Sequence, residues 1–429
     1  MYTSFIAALI AGIASATADV QSISLGQFKL KNAAFPAVES FKDSEDFLLV
    51  SSFGAFSAGR IYVVPGIKEA VVAGDASGLK SVILDTPNFE WPNVVKTVPH
   101  DVFNGTRAIV IPDGFLPPGK THGGIFLTVM DDTDVTKTVK TVQMTHNRKG
   151  YFYHMGFWVD MNGDGRKDFL TAKTNAKAGG GSLVWYEHPV DGLDAKGDWT
   201  EHVVCEGPDV GIEMDTFVEY PDEVIVFAAE FFNEKLGFYR VSTKDGTLVD
   251  SRIIDDTTLH AYSVQMVDLN GDGKKQLVMN NHEKSDKTNG IWAYTMPYPK
   301  DFMTGDFVKY PLALGFKNAF SMTIPNMAPG FPYAIWPETK TEGSTRAHIA
   351  VAGDGDHSVS ILTPTGDAST FEYQKDLIKN EGGTVGALAF SDLDNNGWKE
   401  MWVPNYDGSY VELFKFTGEY IPQPEFFLQ

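Results

Sequence analysis

The sequence predicts an all-β fold, a seven-bladed β-propeller with four-stranded blades, and three observations carry that prediction. Short runs rich in β-branched and aromatic residues fill the chain. No amphipathic helix of more than about two turns shows in the periodicity. One strand, acidic loop, strand motif recurs without a gap.

The strand-like runs are "DFLLVSS", "RIYVVPG", "RAIVIPDG", "GIFLTVM", "SLVWYEHP", "DEVIVFAAEFF", "KQLVMNN", "GIWAYTM", "AHIAVAGDG", "SVSILTP", "EMWVPN" and "YVELFKF", each bounded by Gly, Asp, Asn or Pro. The recurring motif is "FWVDMNGDGRKDFLTAK", then "QMVDLNGDGKKQLVMNN", then "AFSDLDNNGWKEMWVPN". Their first aspartates, Asp160, Asp268 and Asp392, stand 108 and 124 residues apart, intervals that suit two repeats each. Weaker copies fall between them, at "HDVFNGTRAIVIPDG", "GIEMDTFVEYPDEVIVFAAEFF" and "AFSMTIPNMAPGFPYAIWPET", and "DFLLVSSFGAFSAGRIYVVPG" completes seven. "GSLVWYEHP" with "DWTEHVV", and "NGIWAYTMP" with "GDFVKYPL", are read as outer strand pairs.

The chain opens "MYTSFIAALIAGIASATADV", an apolar run followed by Ala16-Thr17-Ala18, which reads as a secretory signal over residues 1–18. One propeller domain is expected over 19–429, secreted and monomeric. No later segment is long and apolar enough to cross a bilayer as a helix. A single cysteine, Cys205, leaves no disulfide within the chain, and it reads as a buried strand residue. With 35 Lys and Arg against 56 Asp and Glu, the net charge of −21 argues against nucleic acid as a partner. No nucleophile elbow, zinc-protease helix or phosphate-cradling loop appears.

The acidic loops place oxygen donors at alternate positions, as calcium loops do. Asp160, Asn162, Asp164, the Arg166 carbonyl and Asp168 form one set; Asp392, Asp394, Asn396, the Trp398 carbonyl and Glu400 form another. The middle copy offers Asp268, Asn270, Asp272 and the Lys274 carbonyl, but Gln276 in the last place lowers its charge. Hard oxygen donors favour Ca2+, in a structural role. The same residues also suit metal-free turns stabilised by Asx hydrogen bonds.

If each acidic turn joins an innermost strand to the second, the residues just before an innermost strand ring the axis on the opposite face. By that register the rim holds Tyr151, Tyr153 and His154; His260 and Tyr262; and His100 with Asp101. Asp215 is a lesser candidate, and Asp354, Asp356 and His357 in "AGDGDHSVSI" can reach the axis. Asn104, in the only Asn-x-Ser/Thr sequon, is the glycosylation candidate, expected away from the pocket.

The motifs "VDMNGDGRKDFL", "VDLNGDGKKQLV" and "SDLDNNGWKEMW" resemble the FG-GAP/VCBS type of propeller across most of residues 40 to 420. With "GSLVWYEHP" and "VPHDVFNGT", the chain resembles the fungal L-rhamnose-α-1,4-D-glucuronate lyases that act on gum arabic, and more distantly the propeller of aldos-2-ulose dehydratases. The lyase resemblance is the closer one, because the dehydratases carry an additional β domain. It implies β-elimination on an acidic glucuronate-bearing glycan, releasing rhamnose and leaving an unsaturated glucuronate. Such chemistry needs a base, an acid and a carboxylate clamp. We assign His100 to proton transfer, with His154 and Tyr151 as partner acid or stacking residues. Arg148 is the clamp with His146 beside it, and Tyr153, His260, Tyr262 and Asp101 are substrate contacts. The other readings are a dehydratase of an oxidised hexose and a non-catalytic sugar-binding propeller.

Overall fold

The computed structural model describes residues 20–115, 120–145, 149–175, 179–319 and 327–418. The predicted signal segment, His146 and Arg148 therefore lie outside the described residues. Seven antiparallel sheets of four strands follow one another along the chain.

Blade 1 comprises Ala33–Glu39, Phe47–Gly54, Ser57–Val64 and Val82–Ile83, and blade 2 Lys96–Thr97, Ala108–Pro112, Ile125–Met130 and Thr138–Gln143. Blade 3 runs Tyr151–Val159, Asp168–Asn175, Gly180–Glu187 and Thr200–Glu206; blade 4 runs Gly211–Asp215, Glu223–Glu230, Lys235–Ser242 and Leu248–Asp255. Blade 5 is Ala261–Val267, Gln276–Asn281, Gly290–Thr295 and Val308–Leu314, and blade 6 is Pro332–Ile335, His348–Ala352, Ser358–Pro364 and Tyr373–Asn380. Blade 7 takes Ala389–Ser391, Glu400–Asn405 and Tyr410–Thr417 from the end of the chain. Its outer strand, Gln21–Lys29, comes from the beginning. That strand pairs antiparallel with Tyr410–Thr417, Lys29 opposite Tyr410 and Gln21 opposite Thr417, and so closes the ring.

The second strand of a blade is buried on both sides, and its period of two divides the side chains between two cores. In Phe47–Gly54, Leu48 and Val50 pack with Trp402 and Leu413 of blade 7. Phe47 and Leu49 pack with Ile109 and Ile111 of blade 2. The same division recurs around the ring, giving one apolar core between each pair of neighbouring blades. This explains why the middle strands read as unbroken apolar runs.

Two weak copies were expected in the wrong register. "DFLLVSSFGAFSAGRIYVVPG" supplies the second and third strands of blade 1, while its inner strand is Ala33–Glu39. In blade 6, "PYAI" is itself the inner strand. The same slip moves His100, with consequences for the site.

Candidate functional site

The acidic turns all lie on one face, each joining an inner strand to the second strand of its blade, and they share one construction. In each, the ninth side chain reaches back to cap the amide of the second residue. Asp168 Oδ2 accepts from Met161 N–H at 2.9 Å, Gln276 Oε1 from Leu269 N–H at 2.8 Å, and Glu400 Oε2 from Leu393 N–H at 3.0 Å. Met161, Leu269 and Leu393 are buried beneath the turn. The fourth residue takes a left-handed backbone in each, Gly163, Gly271 and Asn395, which is why Gly or Asn stands there.

The turns differ in what remains for a cation. In the first, Asp160 accepts from Gly163 and Gly165 N–H, Asp164 pairs with the Arg166 guanidinium, and both Asp168 oxygens are used, the second by His188 N–H. In the second, the Gln276 amide donates to the Lys274 carbonyl at 2.6 Å, occupying the oxygen expected to ligate. In the third, ligand oxygens of Asp392, Asp394 and Glu400 lie within 4.8 Å of one another. There Asp392 Oδ1 and Glu400 Oε1 are buried without a hydrogen-bond partner. Burial, opposed by the Leu393 amide and Ser391 but aided by Asp394 and Asp392, pushes the Glu400 carboxyl up to about 7. Of the three, the third loop fits a cation best; Lys415 Nζ stands 3.1 Å from Asp394.

His100 and Asp101 belong to this face and not to the axial rim. The inner strand of blade 2 is only Lys96–Thr97, and residues 98–107 form the loop that follows it. Asp101 pairs with Lys167, next to the acidic turn of blade 3, at 2.8 Å. His100 lines a cleft of about 540 Å3 with Lys42, Asp43, Arg107 and Asp132. Asn104 is exposed in the same loop with a left-handed backbone, on the face away from the rim. Asp215, at the end of its inner strand, also faces this way, bound to Lys275 at 2.6 Å.

On the opposite face the three candidates in "YFYH", Tyr151, Tyr153 and His154, part company. Tyr153 is 2% exposed and its hydroxyl bonds that of Tyr186 at 2.7 Å, in the core between blades 2 and 3. It is therefore a packing residue, against expectation, because successive residues of a strand point to opposite sides and the neighbouring His154 takes the axis. Tyr151 sits away from the axis, under the Lys173 ammonium at 4.4 Å, in a cleft of about 540 Å3 with Asn175, Ser182, Asn233 and Lys235. His154 reaches the axis. It is 1% exposed, ringed by Phe35, Tyr262 and Phe331, and neither ring nitrogen has a partner. Burial lowers its pKa to about 4, so it is a neutral imidazole.

Above His154, His282 and Phe331 stack on Tyr262, with centroids 4.5 and 4.9 Å away. Two histidine–carboxylate pairs flank this stack. His260 Nδ1 lies 2.6 Å from Glu283 Oε1, which also accepts the His260 backbone N–H. A carboxylate at Nδ1 leaves Nε2 as the basic nitrogen. The His260 ring packs on Phe231 and is 36% exposed in its side chain. His282 Nε2 lies 3.8 Å from Asp354 Oδ2, while its Nδ1 meets the Pro329 carbonyl at 2.9 Å. His282 N–H bonds the His260 carbonyl at 2.9 Å, which ties the pairs together. Burial draws the His282 imidazole down to about 4 and the Asp354 carboxyl up to about 8, the latter aided by Asp356 and Asp407.

The rim therefore holds His260 and Tyr262, as the register places them, and Asp354. His282 and Glu283 were not foreseen. They follow the second strand of blade 5, in "NNHEKSD", and only the fold-back that brings Glu283 against Ala328 carries them inward.

Among solved structures, 349 chains match this fold. One, described as the structure of the Dos1 propeller, shares 8% sequence identity at a TM-score of 0.51, over 92% of this chain and 94% of that one. At that identity the likeness defines the class, a seven-bladed β-propeller, and nothing narrower. No protein-family profile matches the chain, and no curated protein sequence does.

Proposed function

We propose that this propeller is a secreted carbohydrate lyase whose reaction centre is the axial rim, cleaving a terminal rhamnose-α-1,4-glucuronate linkage by β-elimination. The observation that carries the reading is the Glu283–His260 pair beside the Tyr262 stack. A histidine held at Nδ1 by a carboxylate presents Nε2 as a base, and stacked rings suit the apolar face of a sugar. Arg148 and His146, outside the described residues, remain the proposed clamp for the uronate carboxylate. The test is incubation with a rhamnose-capped acidic glycan: release of rhamnose with the ultraviolet absorbance of an unsaturated uronate supports the reading, and an intact glycan overturns it.

A second reading has its own support. Among the described residues, Glu234 and Glu283 have only the His260 imidazole as ion-pair partner, so the rim carries negative charge. That favours a neutral sugar, either as substrate of a dehydratase acting on an oxidised hexose or as ligand of a non-catalytic propeller. Binding of a neutral monosaccharide with no chemistry on either substrate would select the last.

For the metal, we propose structural Ca2+ in the third acidic loop, held by Asp392, Asp394, Glu400 and the Trp398 carbonyl with Asn396 adjoining. The orphaned oxygens of Asp392 and Glu400 support it.

A further inference from the structure

We propose that Asp354 is the proton donor of the axial rim, a neutral carboxylic acid that delivers its proton to the departing sugar oxygen. The assignment rests on the lyase reading above and supplies the acid which that reading needs.

Three features place and prime this carboxyl. First, its turn is fixed. Asp354 N–H bonds the Val385 carbonyl of the neighbouring blade at 2.9 Å, Gly353 N–H bonds Ser358, and Gly355 N–H bonds the Met327 carbonyl. Asp354 and His357 both adopt left-handed backbone, which non-glycine residues keep only where the surroundings impose it. A Cβ on Gly355 would come within 2.6 Å of Met327 O, so the turn has no room to relax.

Second, the neighbouring imidazole favours the protonated form of Asp354. The Pro329 carbonyl can only accept, so His282 Nδ1 carries the hydrogen. The Nε2 lone pair of this neutral ring then faces Asp354 Oδ2 at 3.8 Å. A carboxylate there would face like charge density, whereas the neutral acid would not.

Third, the surrounding charges leave the ionised form unsupported. Asp356 in the same turn and Asp407 of blade 7 both disfavour it, and burial adds to them. Tyr262 and His282 of blade 5 face it uncharged. Lys375 and His357 bear on Asp356. No lysine or arginine pairs with Asp354 among the described residues.

The step balances with these two groups. The C5–H bond breaks toward His260 Nε2, and its electron pair becomes the C4–C5 double bond. The C4–O bond breaks, and the rhamnose oxygen takes the Asp354 proton. Imidazolium and carboxylate remain, and one proton passed through solvent resets them.

The experiment compares wild type with Asp354→Asn, which keeps a donor of similar size but cannot titrate. A carboxyl whose folded pKa lies above its unfolded value gives stability at low pH that is lost as pH rises. Thermal unfolding is therefore expected to show the wild type losing ground to the variant between about pH 4 and about pH 8, then running parallel. Curves parallel throughout overturn the donor assignment whatever the substrate. On the rhamnose-capped glycan the variant is expected to lose about 100-fold or more in kcat with KM little changed. On a glucuronide bearing an acidic phenol at O4, which leaves without protonation, it is expected to keep the wild-type rate. A wild type that leaves the glycan intact overturns the lyase reading and this step with it. A cleaving wild type whose variant keeps full rate on the glycan overturns the donor assignment alone.

Discussion

The two faces of the ring use carboxylates in opposite ways. On the acidic-turn face, Asp168 and Glu400 accept main-chain N–H groups and hold loops shut. On the axial face, Glu283 and Asp354 meet imidazoles across a stack of rings. A cap needs only an acceptor at the right place, which is why Gln276 serves as well as an acid. A proton-transfer pair needs a group whose charge state can change. Spacing of acidic residues in sequence therefore says little about chemistry until each partner is known.

The largest expected effect tests the capping side of this contrast. Asp168→Ala strands the N–H groups of Met161 and His188 in a buried site, and is expected to cost about 3 kcal/mol in denaturant unfolding. A loss under about 1 kcal/mol would mean that the cap is dispensable. Close in size is the cation: Ca2+ at 100 times its Kd is expected to add about 2.7 kcal/mol to the stability of the protein. Glu400→Gln, which keeps the cap as Gln276 does, is expected to abolish that gain while leaving the calcium-free protein folded. A calcium shift that survives in Glu400→Gln would move the ion elsewhere.

On the axial face the sign reverses. His154→Leu removes two unpartnered ring nitrogens from an aromatic shaft and is expected to raise stability by about 1 kcal/mol while weakening sugar binding in calorimetry. A clear loss of stability would show that the imidazole has a structural partner. Smallest is Lys167→Ala, which breaks an exposed pair with Asp101 and is expected to change stability by less than about 0.5 kcal/mol. His100→Ala, in the same loop, is expected to leave sugar binding unchanged; a loss would return His100 to the functional site.

The strong copies of the repeat could be read because their turns demand left-handed glycine or asparagine and an acidic first residue, constraints visible one residue at a time. Blade 2 could not be placed the same way. Its inner strand has two residues, too few for a period, so in sequence the loop carrying His100 reads as the approach to a strand. Tyr153 was misjudged by one step of the strand alternation. His282 and Glu283 gave no local sign, because what brings them to the axis is contact with residues some 45 positions later in the chain. "AGDGDHS" did give one: clustered Gly and Asp marked a tight turn, although only the fold shows its carboxyl beside His282.

Ring closure has a consequence for synthesis. Gln21–Lys29 finds its partner, Tyr410–Thr417, only after all the blades between them have been made. Until then the strand is an open edge able to pair with another chain, and the contact that completes the ring has the longest loop to close. Folding is therefore expected to finish at Gln21–Lys29, with the closed ring holding that strand as a clasp.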